Sequence, residues 1–334
     1  MKAFRIEAIT GPDGLVMRDL PDPRPGPGQA LVRLRARSLN YRDVRILTGA
    51  YPVPARLGVV ALADGAGEVV EVGTGVTQLA AGDRVMSTYF PRWVDGRFAL
   101  SYTSEQFGCT RDGMLAPLIA VEESSLVRIP PHLTFEEAAT LPCAALTAWS
   151  ALVGPRPILP GETVLTVGSG GVALFALQFA RLFGARVIAL TSSEEKIARL
   201  TQLGADAVVN RDATPEWSLA VRELTDGHGV DHVVETGGVG TLAQSIACTA
   251  EEGAVNVVAA LDDGAINVRV LRAPITLRRT YVGSRAGFER MNRAIAANGL
   301  RPVIDRSFAI ADVKEAFEYM EARTHFGKIV ITDD

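Results

Sequence analysis

The chain is poor in the residues that build metal and disulfide sites. Its three cysteines, Cys109, Cys143 and Cys248, are odd in number among 334 residues and lack paired spacing. That excludes a disulfide framework and a four-thiolate zinc site, and it suits a reducing compartment. The four histidines, His132, His228, His232 and His325, are scattered, with no i, i+4 pair and no cysteine at metal spacing, and read as non-ligands. Positive charge is not in excess: 34 Lys and Arg against 38 Asp and Glu leave a net charge of −4, so there is no footprint for duplex nucleic acid or an anionic membrane. No segment approaches ~18 uninterrupted apolar residues, and the first ten, MKAFRIEAIT, have no apolar signal core, so a soluble cytoplasmic protein is expected. No Tyr-x-x-x-Lys pair occurs, which removes the short-chain reductase arrangement. What remains is an ordinary globular mix, 48% hydrophobic and 22% charged, long enough for two domains of ~150 residues and suited to a small-molecule partner.

The middle of the chain alternates two patterns. Short β-branched runs at Thr163–Val167, Arg186–Leu190, Ala207–Val209, Val230–Val234, Ala254–Val258 and Thr280–Val282 recur roughly every 20 to 25 residues, with helix-compatible stretches between the earlier ones. Parallel strands joined by helical crossovers give that spacing, so the class is α/β, a doubly wound parallel sheet. One crossover helix is expected over Val172–Phe183 and a second over Lys196–Leu203, the latter opened by a capping box at Ser192–Glu195 and stopped by Gly204. Residues 1–120 read as β-rich, with Leu31–Leu39, Gly67–Gly73 and Asp83–Met86 as strands. Residues 290–334 return to mixed α and β, with helices near Phe288–Asn298 and Asp312–Ala322 and a last strand Lys328–Thr332. The expected division is therefore 1–120 with 290–334 packing back on it, and 121–289. Unpaired backbone near Ala254–Val258 and Thr280–Val282 would suit a homodimer.

Thr163–Val167 runs into Gly168-Ser169-Gly170-Gly171-Val172-Ala173 and then a helix, which is the G-x-G-x-x-G/A dinucleotide fingerprint in its strand-turn-helix context. Gly168 makes the turn, Gly170 admits a pyrophosphate, and the helix N-terminus with Gly171 and Val172 faces the phosphates. The tip of the second strand carries no carboxylate for a ribose 2′-hydroxyl. Ser192 and Ser193, with Lys196 and Arg211, can instead hold a 2′-phosphate, which favours NADP(H). Solvated surface charge is the alternative for Lys196 and Arg211.

On these residues the chain resembles the medium-chain dehydrogenase/reductases over essentially its whole length. The resemblance rests on Asn40-Tyr41-Arg42-Asp43, the run Asp64–Gly73, Gly82–Val85, Ala138–Cys143 with Leu146–Ala148, the glycine motif, and Gly327-Lys328. It implies a GroES-like β domain plus a Rossmann domain, with the cofactor between them. Where zinc-dependent members carry a ligand cysteine this chain has Asn40, and where they carry a ligand histidine it has Ala63 followed by Asp64. Only Cys143 resembles a third ligand, and at most Cys109 stands in the structural-zinc lobe. An amide and a methyl group cannot replace two donors, so no bound zinc is expected. The chain then looks more like the branch of quinone oxidoreductases and enone reductases, which implies an NADP(H)-dependent oxidoreductase passing hydride to an activated carbonyl, enone or quinone. An alcohol dehydrogenase with unfamiliar zinc ligands and a non-catalytic NADPH-binding protein are the alternatives.

Within that resemblance Asn40 faces the nicotinamide and can donate to a carbonyl or to the cofactor, or else serve as a cap amide. Tyr41 is a candidate proton donor or a core tyrosine, and Asp43 an orienting carboxylate. Thr147 is placed beside the nicotinamide, and Cys143 reads as a buried, inert thiol. Gly237 after the fourth strand and Ser284 and Arg285 after the sixth lie at the edge where such sheets bind ligands. Lys328 matches a recurrent family segment, with a surface lysine as its alternative. Trp93 and Phe98 are candidates for the substrate mouth.

Overall fold

The computed structural model describes residues 1–258, 268–271 and 273–333. Two compact units result, Met1–Leu146 with Val282–Asp334, and Thr147–Tyr281. The sequence placed these divisions at 120/121 and 289/290. Residues 121–146 fall instead with the N-terminal unit because their strands pair with its sheet.

In that unit β1 (Lys2–Ile6) and β2 (Leu15–Asp19) form an antiparallel pair. The alternating run in β3 (Gln29–Leu39) supplies a central strand, antiparallel to β4 (Asp64–Val72), which pairs with β5 (Arg84–Ser87). Beyond residue 117 the chain adds β6 (Leu118–Glu122) against β3 and β7 (Leu126–Arg128) against β5. Helix α1 (Tyr41–Leu47) leaves the end of β3, and α2 (Phe135–Ala139) opens on a Thr134 and Glu137 capping box. A π-helical turn, Leu141–Ala145, follows it.

The second unit opens with α3 (Leu146–Leu152) and continues β8 (Thr163–Val167), α4 (Gly171–Leu182), β9 (Arg186–Thr191), α5 (Ile197–Gln202), β10 (Ala207–Asn210), α6 (Trp217–Glu223), β11 (Val230–Glu235), α7 (Val239–Ala247), β12 (Thr249–Val257) and β13 (Thr276–Arg279). All pairings are parallel, in the order β10-β9-β8-β11-β12-β13, the doubly wound arrangement whose order reverses between β8 and β11. Leu165, Val167, Ile188, Leu190 and Val233 pack with Trp217, Val221 and Leu242 as its core. Two expectations fail here. Thr280–Val282 is not strand: the sixth strand is the polar, exposed edge TLRR, which carries no hydrophobic periodicity, while Val282 is buried as a connector. The Ser192–Glu195 capping box does not form: a 3-10 turn occupies Glu194–Lys196, and Ser193 makes no side-chain cap.

The tail returns to the first unit. Helix α8 (Arg285–Asn298) is followed by β14 (Ile304–Ala309), α9 (Val313–Glu321) and β15 (Lys328–Thr332), and β15 pairs with β14 and β3. Phe4, Ile6, Leu39, Val44 and Leu47 close with Phe317 and Ile329 into one core, so the last strand is integral to the first unit. Among the described residues no helix is long and apolar enough to cross a membrane.

Around the buried His232 of β11 lies a cluster of partly exposed charged groups. Arg156 donates to His232 Nε2 and pairs with Glu162 at 2.8 Å, and Asp231 Oδ2 accepts from Thr163 N at 2.8 Å. Burial, with Arg156 adding to it against the opposing Glu162, lowers the His232 pKa. The folded unit therefore keeps this ring neutral where an unfolded chain takes up a proton below about 6.5. Its stability contribution is complete above that pH and is lost on acidification, with a slope of at most about 1.4 kcal/mol per pH unit. Thermal melts between pH 7.5 and 5.5 are expected to fall more steeply for the wild type than for His232→Gln.

Candidate active site

At the switch point of the second unit a glycine turn leads into the N-terminus of α4. Gly168 has φ +92°, a region that L side chains rarely adopt, and its N–H donates to Leu190 O at 2.8 Å. Gly170 is the N-cap of α4 and offers no side chain, so the first N–H groups of this twelve-residue helix, at Gly171 and Val172, have no side-chain cap. Across the switch, Thr236 Oγ1 donates to Val167 O. Glu235 is fully buried, and its Oε1 accepts from Gly237 N (2.6 Å), Gly238 N (3.1 Å) and Thr241 Oγ1 (2.7 Å), while Oε2 accepts from Ser245. Gly237 thus has its N–H engaged, and a Cβ there would stand 2.4 Å from Thr241 Oγ1. One carboxylate stiffens the whole β11 to α7 turn, a role the sequence reading missed. The signal was a carboxylate ending an apolar strand before two glycines.

Ser192, Ser193, Lys196 and Arg211 are brought to one end of the sheet, since Arg211 N donates to Thr191 O at 2.9 Å. Ser192 is exposed, and Ser193 and Lys196 half-buried. Acidic groups are present too: Asn210 donates to Glu194 at 3.1 Å, and Asp212 lies 3.6 Å from the Arg211 guanidinium. Thr147 is buried at the start of this unit.

The first unit holds a different construction. Lys328 opens β15 only 2% exposed, and its ammonium donates to Leu39 O at 2.5 Å and Asn40 Oδ1 at 2.7 Å. Asn40 Nδ2 in turn donates to Asp64 Oδ2 at 2.8 Å, which also accepts from Ser38 Oγ and Cys143 N, each at 3.3 Å. Asp64 Oδ1 is buried without a partner. Burial raises the Asp64 pKa to about 6 although Lys328 and Asn40 oppose it, lowers that of Lys328, and pushes the Cys143 thiol far up.

Asp43 is the orienting group of α1: it accepts from Asn40 N at 2.9 Å and holds Arg42 at 2.8 Å. The Arg42 guanidinium lies 5.0 Å from the Tyr89 ring centroid and 5.3 Å from that of Tyr51. Leu62, two residues before Asp64, has φ +67° while fully buried, and a Cβ at Gly113 would stand 2.0 Å from its carbonyl oxygen. A branched residue held there indicates backbone fixed by its surroundings, and it sets the start of β4.

Other residues named from the sequence lie outside these groups. Tyr41 is 40% exposed with Arg323 stacked 4.7 Å over its ring, and no hydrogen bond joins it to Asn40 among the described residues. Ser284 caps α8 through Gly287 N at 3.1 Å, and Arg285 bonds Leu126 O and Gln78 at 3.2 Å each. Trp93 stacks on Tyr102 at 5.9 Å and packs edge-on to Phe98, so these rings form the core of their own loop.

These donors do not fit zinc. The Asn40 carboxamide oxygen is taken by an ammonium, Asp64 Oδ2 by three N–H or O–H donors, and the Cys143 thiol is held protonated by burial. Divalent zinc needs about three free N, S or carboxylate donors, and an ammonium among them opposes it. Cys109 is likewise buried, with its sulfur 3.6 Å from Val53 O.

Residues 26–131 match the alcohol dehydrogenase GroES-like domain and residues 171–298 the zinc-binding dehydrogenase family. The chain is 39% identical to a zinc-type alcohol dehydrogenase-like protein of Schizosaccharomyces pombe over 98% of both chains, and 29% identical to a quinone oxidoreductase of Pseudomonas aeruginosa over 99% of both. The solved structure of an NAD-dependent alcohol dehydrogenase superposes with a TM-score of 0.89 at 34% identity, covering all of both chains.

Removing the Glu235 carboxylate takes the acceptor from four donors, those of Gly238, Thr241 and Ser245 buried and that of Gly237 part-buried. Glu235→Ala is expected to cost about 3 kcal/mol or more in chemical denaturation and to weaken dinucleotide binding, with Glu235→Gln recovering most of both.

Proposed function

The chain belongs to the medium-chain dehydrogenase/reductase family of oxidoreductases, and on that premise we propose that it is an NADP(H)-dependent reductase of activated carbonyls, enones or quinones that works without a metal. The observation that carries the reading is the Lys328–Asn40–Asp64 chain, which commits the available donors to one another. With no Lewis acid at hand, polarisation falls to hydrogen bonds, and acceptors already activated by conjugation suit that best. The quinone oxidoreductase among the relatives is consistent with this acceptor class.

Family members bind a nicotinamide cofactor, which when bound supplies the hydride. In this chain the Gly168 turn and the α4 N-terminus would hold its diphosphate, and Glu235 keeps the adjoining turn rigid. Ser192, Ser193, Lys196 and Arg211 would take a 2′-phosphate. Against this, the superposed NAD-dependent alcohol dehydrogenase favours a second reading, an NAD-linked alcohol oxidation.

Mixing pure protein with NADPH or NADH and a panel of enones, quinones, aldehydes and alcohols, while following cofactor absorbance and metal content, separates the two. Turnover of conjugated acceptors with NADPH and no stoichiometric zinc is expected. Alcohol oxidation with NAD⁺, or bound zinc, would reverse the assignment, and tight NADPH binding with no turnover would leave a binding protein. Lys196→Ala and Arg211→Ala are expected to weaken NADPH about tenfold more than NADH, and equal losses would remove the 2′-phosphate cradle.

A further inference from the structure

Lys328 has three N–H donors and uses two of them, on Leu39 O and Asn40 Oδ1. The third is buried and has no protein partner among the described residues. Its nearest counter-charge along the bonds, Asp64, is reached only through the Asn40 carboxamide, and Asp64 itself keeps Oδ1 buried and unpartnered. One hydrogen-bonded chain therefore ends in an unused donor on one side and an unused acceptor on the other. Buried groups of this kind are costly unless something completes them, and a purely structural lysine would satisfy its donors or extend into water. The Leu141–Ala145 π-turn borders the cluster through Cys143, whose N–H donates to Asp64 and which is half-buried while Asn40, Asp64 and Lys328 are buried.

Resting on the reductase reading above, we propose that the third N–H of Lys328 is the electrophile of the reaction, bonding the carbonyl oxygen of a conjugated enone or quinone. As hydride arrives at the β-carbon of an enone, a C–H bond forms and the C=C π bond breaks. The electron pair moves through the conjugated system onto the carbonyl oxygen, and the ammonium stabilises the enolate. Solvent then protonates the α-carbon, and the dihydronicotinamide that gave the hydride is left oxidised. Lys328 is thus a catalytic residue, and Asn40 a positioning residue that orients the ammonium and separates it from Asp64.

Single-turnover reduction of 2-cyclohexen-1-one and of 1,4-benzoquinone at saturating NADPH tests this, together with the NADPH Kd. Lys328→Met is expected to slow the enone about 100- to 1000-fold, as loss of an oxyanion donor does. The more activated quinone should slow less than tenfold, the NADPH Kd should stay within threefold, and Lys328→Arg should restore part of the enone rate. Equal losses on both acceptors, an unchanged enone rate, or a weakened Kd with hydride transfer intact would overturn the assignment. If Lys328→Met does not fold, the near-isosteric Asn40→Asp decides: a carboxylate beside the ammonium should slow the enone tenfold or more and spare the quinone, and an unchanged rate overturns the proposal. A wild type that reduces neither acceptor with either nucleotide defeats the reductase reading itself, whereas wild-type turnover retained in Lys328→Met defeats only this inference.

Discussion

Burying an ammonium and a carboxylate within one small unit is the constraint around which its functional end is built. Both groups are buried, and they are joined through a carboxamide that accepts from Lys328 and donates to Asp64. The three residues come from the end of β3, the start of β4 and the start of β15, so the chain of bonds closes only when the last strand of the protein is in the sheet. Removing any one member leaves another buried and unsatisfied, which makes the group collective rather than a sum of pairs. The left-handed backbone of Leu62 is consistent with this: the segment leading into Asp64 is held in an unfavourable conformation by the glycine-lined loop packed on it.

The second unit solves a different problem with one charge. Glu235 absorbs four donors and fixes the turn after β11, while the opposite side of the switch point, at the start of α4, keeps its N–H groups uncapped. The contrast has a physical basis. A turn that only shapes the crevice is best satisfied internally, whereas a helix start that is to hold an anion must leave its donors unsatisfied by the protein.

Much of this was legible in the residues. Strands β8, β9 and β11 declare themselves through apolar runs, because they are covered on both faces, and the glycine turn declares itself because its backbone conformation needs glycine. The edge strand Thr276–Arg279 was not legible, since an exposed edge has no reason to be apolar. At the site, Asn40, Asp43 and Lys328 could be named from the resemblance, but not joined: that Lys328 is buried rather than on the surface depends on β15 pairing with β3, nearly 290 positions away. Asp64 was seen only as the start of a longer run and Glu235 was not singled out, because nothing local distinguishes a buried carboxylate from a solvated one. Tyr41, one position from Asn40, turns outward to Arg323, which follows from α1 starting there and rotating successive side chains by about 100°.

An ammonium brings one positive charge and a directional N–H, where a divalent metal brings two charges and a vacant coordination position. Stabilising a full alkoxide of high basicity would also invite proton transfer from the ammonium, whose pKa burial has already lowered. An enolate or a hydroquinone monoanion spreads its charge over several atoms and is far less basic, so a single held N–H suffices. The same burial that makes Lys328 a weak replacement for a metal in alcohol chemistry makes it adequate for conjugated acceptors, because in a low-dielectric surrounding a modest charge acts strongly on a delocalised one.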